Sequence, residues 1–131
     1  MIAVTENATE LLLLLFLVVT FLQSALDKVI DWNGNLNWLK DHFSKTPLSR
    51  MVPALFLILT VTELAAGILC AIGLIQIVMG GSEDWAFWGA VVASLALLML
   101  LFGQRLAKDY DGARTIAIYF IPAIFLVFLL Q

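Results

Sequence analysis

Residues 51–79 read MVPALFLILTVTELAAGILCAIGLIQIVM, with Glu63 as the only charged residue. A helix rises about 1.5 Å per residue, and the hydrocarbon of a bilayer is about 30 Å thick. A run this long and this apolar reads as a membrane-crossing helix. Pro53 sits near its start, where proline costs little, and Gly80-Gly81 ends it. The stretch also sorts by face. Thr60, Glu63, Ala66, Gly67, Cys70 and Gly73 share one side, while Val61, Leu64, Ile68, Ile72 and Ile75 share the other. Small residues let helices approach closely in lipid, and branched apolar residues suit acyl chains. The Glu63 side is therefore expected to turn into a bundle.

Working outward, three more segments have spanning length: about 8–30, 83–106 and 112–130. Asn7 with Glu10 three residues on is a candidate capping box for the first. Ser82 and Asp111 are candidate caps for the third and fourth, and Glu83 and Asp84 fall where a helix dipole favours acid. The connection at 31–50 is the only sizeable one. Within it Leu36, Leu39 and Phe43 form one helical stripe beside Trp38, and Pro47 stops the pattern. That is the mark of a short helix lying in the membrane interface. The expected fold is an all-α membrane protein, a single domain over 1–131. It is a four-transmembrane-helix bundle with a short interfacial helix between helices one and two.

Composition agrees. The 131 residues are 63% hydrophobic and 13% charged, and mean hydropathy is +1.02. Soluble domains run near half apolar and a quarter charged. The seven basic residues, Lys28, Lys40, Lys45, Arg50, Arg105, Lys108 and Arg114, all lie in or beside the connections one-two and three-four. The N-terminal tail, the connection two-three and the C-terminus carry only Glu6, Glu10, Glu83 and Asp84. Basic connections stay cytoplasmic, which predicts both termini on the non-cytoplasmic side. The start lacks the basic flank of a secretory signal and reads as a retained helix.

Glu63 is the most informative residue. It lies about ten residues from the basic end of its helix, hence roughly 15 Å deep. A lone carboxyl there is expected to be largely neutral, because burial raises its pKa. Thr20, Gln23, Ser24, Asp27 and Asp31 share a face of helix one, with Lys28 at its edge. Thr20 reaches a depth similar to that of Glu63, and Gln23 and Ser24 lie a turn nearer the basic end. Thr20, Gln23, Ser24, Lys28 and Glu63 are thus the candidates for binding a ligand or carrying a proton. Two readings of Glu63 stand open. One makes it a proton carrier or the partner of a quinone or other small ligand. The other makes it a protonated donor tying helix two to helix one. Lys28 itself reads as a snorkelling interfacial residue, solvated or paired locally with Asp31. His42 reads as a headgroup contact.

Other chemistry is excluded more firmly. One histidine and one cysteine, Cys70, cannot hold a haem between helices or an iron–sulfur cluster. No metal-ligand set, phosphate-binding glycine loop or nucleophilic triad can be assembled, and no basic arm points to nucleic acid. No cofactor is expected in this chain, and redox chemistry beside it would need one in another subunit.

The run FLQSALDK at 21–28 places small residues just before a lysine at the end of helix one. The run ELAAGIL at 63–69, followed by Gly73, is a Glu/Gly helix, and Gly103-Gln104-Arg105 is a basic turn before helix four. In these features the chain resembles the DoxX-like family of small bacterial four-helix membrane proteins. Ser24 or Ala25 stands where that family usually has glycine, and the N-terminus lacks its usual basic residue. The resemblance implies the bacterial inner membrane and association with respiratory or oxidoreductase complexes. Two functions follow. The first is an accessory subunit packed against other membrane protein subunits, not catalytic alone. The second is a stand-alone membrane protein binding a quinone or small molecule, with Glu63 as its polar site. A stripe of Gly89, Ala93, Ala96 and Gly103 on helix three is the expected docking surface of the first.

Overall fold

The structure, a computed structural model, describes residues 2–131, and every regular element among them is a helix. These are α1 (Ile2–Glu6), α2 (Ala8–Ile30), α3 (Trp32–His42), α4 (Val52–Val78), α5 (Asp84–Leu106) and α6 (Tyr110–Leu130). The helices α2, α4, α5 and α6 are long and apolar enough to cross a membrane. They run up and down, each packing mainly on the next, and the α2–α6 seam that closes the ring is thin. One end of the bundle carries the basic residues and α3. The other carries Glu6, Glu10, Glu83 and Asp84.

The face of α4 around Glu63 is the one buried: Phe56, Thr60, Glu63, Ala66, Gly67, Cys70 and Gly73 turn inward. Val61, Leu64, Ile68, Ile72 and Ile75 are exposed on the opposite side. Close approach explains the glycines. A Cβ on Gly73 would sit 2.5 Å from the Ala86 backbone, and one on Gly89 would sit 2.8 Å from the Cys70 nitrogen. Ala86, Ala90, Ala93 and Ala96 of α5 are fully buried in the same seam. The small-residue stripe of α5 is thus spent on α4 and the core, not on an outside partner. Replacing Ala93 would test internal packing alone.

Local details amend the expected boundaries. The Asn7 side chain does not cap α2. It donates to the Ala3 carbonyl at 2.8 Å, so α1 runs almost directly into α2 and no capping box forms. Ser82 is not the cap of α5 either: the N-cap position is Glu83, and Ser82 Oγ, one residue earlier, accepts from the Asp84 nitrogen at 3.1 Å in a local turn. Helix α6 begins at Tyr110, not Gly112. Its cap is Asp109, which accepts from the Gly112 nitrogen at 3.0 Å, while Asp111 pairs with Arg114 on the surface. The α4–α5 turn is closed by Gly80 at φ +77° and by the Gly81 nitrogen donating to the Gln76 carbonyl. The interfacial helix starts earlier than its apolar stripe, at Trp32. Only the helix is interrupted at Asp31, and the Asn35 amide reaches back to the carbonyls of Asp27 and Asp31 at 3.2 and 2.8 Å.

Candidate functional site

The buried spine of α2 is Leu14, Leu17, Phe21 and Ala25, and Lys28 continues it at the next helical step. Side chains on a helix lean toward its N-terminus. Helix α2 runs toward the basic end, so Lys28 leans back into the bundle. Helix α4 runs the other way, so Glu63 leans toward the basic end. The two meet, with Lys28 Nζ 3.0 Å from Glu63 Oε1. Gly67, one turn beyond Glu63, permits the approach: a Cβ there would lie 2.5 Å from the Leu22 side chain.

Glu63 is 1% exposed and Lys28 18%, so the acid is sealed and the base keeps a window. Lys28 also donates to Ser24 Oγ at 2.7 Å, one turn back on its own helix. That is its well-aligned hydrogen bond. Toward Glu63 the contact is one of charge at close range, and Oε1 accepts no aligned hydrogen bond. Further toward the basic end the rings of Trp32 and Phe56 lie 4.3 Å apart.

The expected unpartnered carboxyl is therefore corrected. Glu63 has a lysine beside it, and Lys28 is neither a snorkelling residue nor a partner of Asp31. Of the five candidate residues the structure gathers Ser24, Lys28 and Glu63. Gln23 is exposed, Thr20 is half-buried, and no hydrogen bond links either to Glu63. The buried Thr60, next to Glu63 on the same face, is spent on its own helix, donating to the Phe56 carbonyl at 2.8 Å.

His42 also turns inward. Its ring stacks on Trp38 at 4.6 Å, and Nε2 lies 3.5 Å from Asp109 Oδ2, tying α3 to the start of α6. Gln104, read as part of a basic turn before helix four, buries its Oε1 without a hydrogen-bond partner. Neither role had a clear signal, because the contact partners lie more than sixty positions from α3 in one case and across a turn in the other. Among the described residues no group of His, Cys, Asp or Glu could hold a metal ion. Comparison of the chain with family models, curated proteins and solved structures yields no match.

Proposed function

We propose that this chain is a non-catalytic accessory subunit of the bacterial inner membrane, DoxX-like in kind, which packs into a larger, oxidoreductase-type membrane complex. Both termini lie on the non-cytoplasmic side in this reading, supported by the gathering of all seven basic residues at one end of the bundle. The carrying observation is α6. Only 17% of its apolar span is buried, against 39% for α5. Ile118, Ile121, Ile124, Phe125 and Phe128 stand exposed along it. Such a face suits lipid or another apolar helix equally, and association in lipid rests on packing rather than on hydrophobicity. The quinone alternative at Glu63 is the less favoured reading, because the residue is 1% exposed and Lys28 stands 3.0 Å from it.

Mild solubilisation is the test. The tagged chain should migrate on native gels with other membrane proteins, and Ile121→Asn should release it without loss of insertion. Purification as a lone chain from native membranes would refute the accessory role. Orientation is tested separately in a Cys70→Ala background. Single cysteines at Asn7 and Glu83 should react with an impermeant thiol reagent in intact cells, and those at Asn37 and Lys108 should not. The reverse pattern inverts the topology.

A further inference from the structure

At the basic end an apolar groove of about 240 Å³ lies between α3, α4 and α5. Leu39 lines it from α3, Phe43 and Leu48 from the connection that follows, Val52 and Leu59 from α4, and Met99 from α5. Trp38 and Phe102 belong to the same wall and are 61% and 62% exposed, so the groove opens outward. In a bilayer the outside of the bundle is met by hydrocarbon. A hollow left empty there forfeits dispersion contacts along its whole wall, and an acyl chain is the hydrocarbon at hand.

Charge selects which lipid. Of the seven basic residues, Lys28 pairs with Glu63, Arg114 pairs with Asp111, and Arg105 lies 5.1 Å from the Tyr110 ring centre. Lys40, Lys45, Arg50 and Lys108 make no ion pair among the described residues. Three of these four fall on the segment 38–52, which also supplies Leu39, Phe43, Leu48 and Val52 to the groove. Consecutive Cα atoms are about 3.8 Å apart. Lys40 therefore adjoins Leu39, Lys45 stands within about 7.6 Å of Phe43, and Arg50 stands within about 7.6 Å of both Leu48 and Val52. All three bases are exposed, and Asp41 is the one acid among them. The start of α4 adds to the attraction, since its first turn holds no acid and no side chain caps it. Topology accounts for the side on which these bases lie. It does not require that they stand unpaired on the segment that walls a groove.

We propose that this groove seats an acyl chain of an anionic phospholipid, whose headgroup phosphate is met by Lys45 and Arg50, with Lys40 beside them. Hydrocarbon below and bases above match such a lipid from tail to head. The inference is independent of the accessory-subunit reading, since it requires no second protein, and it holds for either orientation of the chain.

The test uses the full chain in phosphatidylcholine nanodiscs. Trace phosphatidylglycerol or phosphatidylcholine carrying a diazirine on one acyl chain is photolysed, and the adducts are mapped by mass spectrometry. Adducts of the phosphatidylglycerol probe should concentrate within 38–59 and 99–104 and exceed those of the phosphatidylcholine probe about tenfold. One base facing an anionic lipid is worth about fivefold in affinity, and two are invoked. Lys45→Gln with Arg50→Gln should cut the preference to below about threefold, while the phosphatidylcholine probe still labels the groove and so reports it intact. In the unaltered chain about 0.5 M salt should lower the preference as well, which needs no variant. Equal labelling by the two probes would make the groove a slot for any acyl chain and overturn the proposal. So would a preference that survives the double substitution, or phosphatidylglycerol adducts spread over α2 and α6 without concentration in the groove.

Discussion

Toward the acidic end α4 and α5 meet backbone to backbone, whereas at the basic end the helices are joined through side chains. Gly73 rests on Ala86 and Gly89 on Cys70, with fully buried alanines filling the rest. At the other end Lys28 reaches Glu63, Trp32 packs on Phe56 and His42 faces Asp109. The first arrangement spreads cohesion over many small van der Waals contacts. The second concentrates it in a few side-chain contacts and leaves a cavity beside them. In lipid, where apolar surface gains little by leaving its surroundings, both strategies hold helices together. They should fail differently under substitution.

The largest effect is expected from Lys28→Met. It leaves a carboxyl 1% exposed with no counter-ion, and breaking a buried pair this way costs about 3 kcal/mol or more. Unfolding of the purified protein in mixed micelles measures it. The double variant Lys28→Met with Glu63→Leu should return to within about 1 kcal/mol of the parent, because a buried pair exchanged for apolar residues is often neutral. A double variant as weak as the single would show that the lysine acts through packing and not charge.

Gly73→Ala comes next, at about 2 kcal/mol, since the added methyl meets the Ala86 backbone, which cannot rotate away. An unchanged midpoint would mean that the α4–α5 seam can open without cost, and the contrast between the two ends would dissolve. The smallest effect is expected from Glu63→Leu alone, about 1 kcal/mol in the same assay. Lys28 keeps an 18% window and its bond to Ser24, so it can turn toward water. The asymmetry between removing the lysine and removing the acid is the sharpest form of the comparison. Equal losses would contradict the exposed window.

The four spans and the inward face of α4 were legible because length and small-residue spacing report directly on a bilayer and on close helix packing. Lys28 was not, although its position was visible in principle. It follows Leu14, Leu17, Phe21 and Ala25 at steps of three and four. Counting depth from Cα positions alone put Thr20 opposite Glu63. Side chains of antiparallel helices lean toward their own N-termini, and here that tilt brings a lysine nearer the interface to the acid. The cap at Asp109 was missed for a simpler reason, since Asp109 and Asp111 offer the same chemistry two residues apart. The cavity under α3 had no local signature, because it depends on where a loop helix comes to rest.

The hydroxyls of the spanning helices have a consequence for how the chain is made. Thr60, Thr62, Ser94 and Thr115 each donate to a carbonyl four residues back in their own helix. A helix satisfied in this way can leave the translocon for lipid by itself, with no neighbour needed to complete its bonds. Glu63, like Gln76 further along α4, is not satisfied in this way. When α4 is threaded into the bilayer its acid arrives without water, but α2 has already been synthesised and Lys28 stands near the basic end. The order of the chain thus delivers the base before the acid. A circular permutation that reversed that order would ask α4 to enter the membrane with its acid unpartnered.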